Sequence, residues 1–125
     1  LRTSNVWGSK ISETRVNGLV DKLINSLDTD RVIEIFADLK TRVDLIHIDD
    51  FVDLLIKVVG KNLENQHELF LVGRQSLSIC DIIDIVSKRG SLNLRINQKA
   101  EKTYLHIENS KVRTTFDWQP NHILK

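Results

Sequence analysis

The chain has 125 residues and a formal net charge of +1, from 18 Lys and Arg against 17 Asp and Glu; it is 41% hydrophobic and 28% charged. That length allows one domain with one real core and excludes two full-sized ones. The composition excludes charge-driven disorder, and the scattered basic residues leave no footprint for nucleic acid.

No apolar stretch approaches the roughly 20 residues that span a bilayer, so no membrane partner is expected. The N-terminus lacks a basic segment followed by an apolar run and is not a signal peptide. Cys80 is the single cysteine. It cannot form an internal disulfide, which fits a reducing, cytoplasmic setting. The chain starts Leu1-Arg2-Thr3 and contains no methionine. It is therefore expected to be a processed product or a piece of a longer protein.

Apolar residues at Val16, Leu19, Val20, Leu23, Ile24 and Leu27 predict a helix over Ser12–Leu27, with Ser12 as its N-cap. Arg31–Phe36 is short and β-branched and reads as a strand. Arg42–Ile48 is a second strand, with Asp44, Ile46 and Ile48 on one face and Val43, Leu45 and His47 on the other. Asp49 occupies the N-cap position of a helix over Asp50–Val59, and Asp50 and Asp53 suit its first turn. This helix is apolar nearly all round and is expected to be buried on more than one side. Gly60 is its C′ residue.

Glu68–Val72 is a third strand of the fully buried type. Gly73-Arg74-Gln75-Ser76 reads as a turn. Ser78 caps a helix running to Ser87, with Ile79, Ile82, Ile83 and Val86 towards the core. Leu92–Ile96 alternates strictly and is a fourth strand. Glu108–Phe116 is a last short helix. Strands alternating with helices argue an α/β fold.

Chemistry-bearing clusters are few. His47 with Asp49 and Asp50 could ligate a metal, but cap and first-turn roles explain both carboxylates, so no metal is expected. Cys80 beside Ile79 within a helix reads as a buried, inert thiol. The five glycines (8, 18, 60, 73 and 90) form neither a G-x-G-x-x-G nor a G-x-x-x-x-G-K pattern. The sequence therefore holds no self-contained dinucleotide or P-loop site. Tyr104 is the only tyrosine and has no lysine four positions on. No catalytic residue is assigned, and the chain reads as contributing to a site completed elsewhere.

Four segments, in order, resemble the extended short-chain dehydrogenase/reductases, the family of NAD-dependent nucleotide-sugar epimerases and dehydratases. Arg2-Thr3-Ser4-Asn5-Val6-Trp7-Gly8 resembles that family's R-x-x-N-V-Y-G. Val43–Asp50 resembles its R-D-F-I-H-V-D-D. Phe70–Gly73 with Ser76–Ile85 resembles its F-N-V-G strand and the helix after it. Glu108–Lys111 with Phe116–Pro120 resembles its closing D-x-S-K and L-G-W-x-P.

The resemblance implies an α/β chain forming the C-terminal, substrate-binding portion of a Rossmann-type enzyme, over residues 1–125. Residues 1–8 would be the tail end of an N-terminal Rossmann domain carrying the glycine-rich turn and the Tyr-x-x-x-Lys pair. The cofactor it implies is NAD or NADP, bound mainly by that domain. The partners it implies are a nucleotide-sugar substrate and the Rossmann domain, with a homodimer allowed. Residue by residue, Thr3 and Ser4 match positions lining the nicotinamide. Asn5 matches a residue that holds the substrate's phosphate or sugar. Asn17, Gly18 and Leu19 match a stretch touching the diphosphate, where a helix N-terminus suits an anion. Phe36 matches the position packing on the base.

The same residues also suit structural roles: Asn5 satisfying loop backbone, Leu19 as part of the core stripe, Phe36 as ordinary core. The family's arginine before the aspartate is Val43 here, with Arg42 one residue earlier on the opposite face. A second family arginine is replaced by the stretch Gln98–Glu101. Arg42, Lys99 or Arg95 are the candidate substitutes, and Arg42 and Lys99 complete the expected substrate-binding set. The alternative reading is a non-catalytic nucleotide-binding or regulatory module on the same fold.

Overall fold

The computed structural model describes residues 1–8, 18–61, 68–98 and 106–125. Short strands alternate with helices, as the periodicity requires. In chain order they are β1 (Arg2–Thr3), β2 (Asn5–Trp7), α1 (Leu19–Ser26), β3 (Val32–Ile35), β4 (Arg42–His47), α2 (Ile48–Gly60), β5 (Leu71–Val72), β6 (Gln75–Ser78), α3 (Ile79–Ser87), β7 (Asn93–Ile96) and α4 (Ser110–Phe116).

The strands form three small sheets. β1 pairs in parallel with β5, with Arg2 opposite Leu71, and β3 pairs in parallel with β7. β4 lies between β2, parallel to it, and β6, antiparallel to it. Because successive strand residues face opposite ways, β4 feeds two cores. Ile46 joins Leu54, Phe70, Val72, Val112, Phe116 and Trp118. Leu45 joins Val20, Leu23, Ile82, Val86 and Leu124.

Several expectations are corrected. The N-cap of α2 is His47, whose Nδ1 accepts from the Asp49 backbone N–H, so Asp49 sits in the first turn. Gly60 ends α2 within the helix, and Lys61 is the C-cap. The stretch read as a turn at 73–76 contains the start of β6, an edge strand held by Val43 opposite Leu77 and Arg42 opposite Ser78. Its single large apolar residue, Leu77, left little alternation to read. Helix α1 begins only after Gly18, which is extended at φ −110° and ψ 150°; Ser12 and Val16 lie outside the described residues. β5 is shorter than expected, and Phe70 contributes its carbonyl to the Arg2 N–H at 2.8 Å.

Helix α2 is not enclosed. Ile56 is 68% and Val59 86% exposed, and Val52 and Leu55 share that open side. Cys80 is exposed as well, because Ile79, Ile82 and Val86 take the core face of α3. The start of α3 is as expected: Ser78 Oγ accepts from Asp81 N at 3.0 Å, and Asp81 Oδ2 accepts from Ser78 N at 3.1 Å. That reciprocal pair satisfies two N–H groups that a helix start leaves unbonded.

Two substitutions test this account. Ser78→Ala should lower the unfolding free energy by about 1 kcal/mol through loss of the cap. Gly73→Ala should cost more, because its Cβ would lie 2.4 Å from Oδ1 of the buried Asp44. Urea denaturation of both variants gives the comparison, and equal costs would contradict it.

Candidate functional site

The strand β4 and the start of α1 bound a small cleft of about 130 Å³, between the second core and the solvent. Asn5 and Leu19 meet there, with Gly18, Val43 and Ile82 also in its lining. Leu19 is half-buried and also packs against the second core, so its two readings coexist. Asn5 is exposed at the head of β2. A pocket for a drug-sized ligand is usually about 300–1,000 Å³. This cleft is too small to enclose a sugar nucleotide.

The other expected residues lie around it or apart from it. Thr3 is exposed in β1, and Ser4, between β1 and β2, is buried. Its Oγ has no hydrogen-bond partner among the described residues. Arg42 is adjacent to Val43, but its guanidinium donates to Ser76 O at 2.9 Å and to Ser76 Oγ at 3.3 Å. Phe36 follows β3 and is 56% exposed, so it is not a core residue. Asn17 and Lys99 lie outside the described residues.

Two buried carboxylates, Asp44 on β4 and Asp50 on α2, tie distant segments to these elements. Asp44 is 1% exposed. Its Oδ1 accepts from Arg74 N and its Oδ2 from Ile107 N, both at 3.0 Å, tying two loops to β4. Asp50, also buried, accepts from Asn121 N at 3.0 Å and His122 N at 2.8 Å, and its Oδ1 meets His122 Nδ1 at 2.8 Å. Its carbonyl takes the indole N–H of Trp118 at 3.0 Å. Burying an unpaired carboxylate would cost several kcal/mol, so these donors are obligatory partners. Burial pushes the Asp50 carboxyl up, but bonds from Asn121 N and from the ring and N–H of His122 outweigh it and hold it below the ordinary 3.8. The bond to Asp50 holds His122 above its ordinary 6.5, against partial desolvation.

Sequence reasoning missed Val43 and Ile82 as cleft walls and His122 as a partner of Asp50. Ile82 was legible only as a core position, and Val43 only as the residue standing where the family has an arginine. His122 is 72 residues from Asp50 along the chain, and nothing local marks it.

A model of the NAD dependent epimerase/dehydratase family matches residues 1–73. The chain belongs to this family. Its fold is the extended short-chain dehydrogenase/reductase type. It resembles the UDP-glucuronic acid 4-epimerase of Bacillus cereus, solved with UDP-glucuronic acid and NAD, at 23% identity and a TM-score of 0.82, covering 98% of this chain and 40% of that one. It resembles MoeE5, solved with UDP-glucuronic acid and NAD, at 14% identity and a TM-score of 0.83, covering 98% and 42%. It resembles the UDP-glucose 4-epimerase of Thermotoga maritima, solved with UDP-glucose, at 17% identity and a TM-score of 0.79, covering 98% and 40%. The epimerase-family chain thus spans about two fifths of these structures. No curated protein matches it by sequence. No helix among the described residues is long and apolar enough to cross a membrane.

The Asp50–His122 pair sets a pH dependence. His122, raised, adds stability that is complete below 6.5 and is lost as pH rises through its folded value. Asp50, lowered, adds stability that is complete above 3.8 and is lost as pH falls through its folded value. Attachment of residues 118–122 should therefore be firmest between pH 3.8 and 6.5. The alkaline limb should be shallow, since the exposed His122 ring is screened by solvent. Urea midpoints measured across pH should show that limb, and His122→Gln should remove it. A limb unchanged in His122→Gln would assign it to another group.

Proposed function

We propose that this chain is the substrate-binding C-terminal part of an NAD(P)-dependent sugar-nucleotide epimerase or dehydratase. The observation that carries the reading is the half-formed cleft. Asn5, Leu19 and the backbone of Gly18 meet beside the N-terminus of α1, whose orphan N–H groups suit an anionic diphosphate. The cleft's volume is too small for the whole substrate, so further walls come from elsewhere in the enzyme.

Three features support a separate N-terminal Rossmann domain, with residues 1–8 as its tail end. β1 pairs only with β5 among the described residues, and parallel strands normally lie inside larger, covered sheets. The open face of α2 exposes Val52, Ile56 and Val59, an apolar surface of the kind that marks an interface. The Ser4 hydroxyl, buried with no partner among the described residues, has the character of a group awaiting a contact.

The residues present do not by themselves fit NAD. The sequence carries no glycine-rich turn to receive its pyrophosphate and no Tyr-x-x-x-Lys pair. Thr3 and Ser4 are assigned to the nicotinamide side, while Asn5, Asn17, Leu19, Phe36, Arg42 and Lys99 are assigned to substrate. Of these, Arg42 turns its guanidinium to Ser76, and Val43 leaves the neighbouring cleft wall apolar. That specific feature also supports the second reading, a nucleotide-binding or regulatory module without turnover. The exposed thiol of Cys80 suits a reducing, cytoplasmic compartment.

The isolated chain, incubated with NAD and a UDP-sugar, should give no change in absorbance at the wavelength of NADH and no altered sugar product. Calorimetry should find NAD(H) binding weaker than millimolar. Micromolar NAD(H) affinity or turnover by the chain alone would sink the half-site reading. In the enzyme that contains this segment, Leu19→Asp should weaken UDP-sugar binding by roughly tenfold or more, by placing a carboxylate against the diphosphate. Unchanged affinity would remove Leu19 from the site.

A further inference from the structure

A second cluster lies at the far end of β4 and shares no lining residue with the cleft. His47 closes the strand and caps α2, Asp49 sits in the first turn of α2, and His122 arrives from the C-terminal segment. One ligand-capable atom from each of the three lies within 4.8 Å of the other two. His47 Nδ1 and Asp49 Oδ2 are 3.6 Å apart. Bonds of about 2.1 Å to a tetrahedral zinc ion set neighbouring ligand atoms about 3.4 Å apart, so this edge is already near that length. The two imidazoles lie together, stacked at 4.4 Å between centroids and 20° from parallel.

From this geometry we infer that His47, Asp49 and His122 form a binding site for a divalent transition-metal ion, zinc foremost. Two imidazoles and a carboxylate are a donor set that suits zinc, and three protein ligands leave a fourth position open.

The surroundings favour the site. The His122 ring is fixed by the buried Asp50 carboxylate at 2.8 Å, the arrangement that orients metal-bound imidazoles. The His47 ring is held by the edge of Trp7 at 4.5 Å and by Gly8. A Cβ at Gly8 would meet Nε2 of His47 at 2.3 Å, so that nitrogen is packed and Nδ1 is the one turned to the cluster. Nδ1 holds only a long cap bond of 3.2 Å from Asp49 N, which a metal would replace. Asp49 and His122 are exposed, so an ion has a way in. Without metal, His47 still serves as helix cap and His122 as an anchor of the C-terminal segment.

Zinc chloride titrated into the full chain by calorimetry tests the site. We expect one equivalent bound with micromolar or tighter affinity. Asp49→Asn and His122→Gln should each weaken it by roughly tenfold or more. Cys80→Ser should leave it unchanged, which separates the cluster from the exposed thiol. Asp49→Asn alters an exposed side chain, so it remains informative if His122→Gln fails to fold, as circular dichroism would show. Binding that a folded Asp49→Asn or His122→Gln variant retains overturns the site. So does binding that Cys80→Ser removes, or no binding at millimolar zinc. None of these results bears on NAD or sugar-nucleotide binding, so the two readings fail separately.

Discussion

The fold hangs on one strand buried on both faces. Leu45 and Ile46 are neighbours in β4, and the pleat sends them into different cores. A strand in that position cannot slip by one residue without exchanging the contents of both cores. β4 therefore fixes the register of β2 on one side and β6 on the other. It also places Val43 on the cleft and His47 at the head of α2.

Polarity on that strand is handled by backbone donors rather than by ion pairs alone. Asp44 is enclosed, and the amides of Arg74 and Ile107 take its two oxygens. One helical turn beyond the strand, Asp50 does the same for Asn121 and His122. Charge-assisted bonds of this sort are among the stronger hydrogen bonds, and they draw distant loops onto β4. Gly73 follows from the same constraint, since a side chain there would collide with Asp44. The positions of the loops at Arg74 and Ile107 and of the C-terminal segment are thus consequences of two buried carboxylates.

Local signals were read where the chain's own period carries them. The stripe Ile79, Ile82, Val86 with the Ser78 cap specifies α3 without reference to anything else. Leu92–Ile96 alternates and becomes β7, and Arg42–Ile48 becomes β4. The expectation failed where neighbours decide. β6 is a strand because β4 offers it an edge, not because its four residues favour one. α2 looked enclosed because it is greasy, yet only Asp50 and Leu54 are buried in it. Phe36 was weighed as core and stands open.

The sequence by itself determined the α/β alternation, the helix α3 and its cap, and a family resemblance carried by short motifs in order. Those are properties of neighbours along the chain, set by the 3.6 and 2.0 residue periods and by capping chemistry. Only the tertiary structure decided that His47, Asp49 and His122 share a corner, that Arg42 turns to Ser76, and that Asn5 meets Leu19 across a cleft. These depend on which residues two buried carboxylates and one doubly buried strand pull together across tens of positions, and no local period encodes that choice.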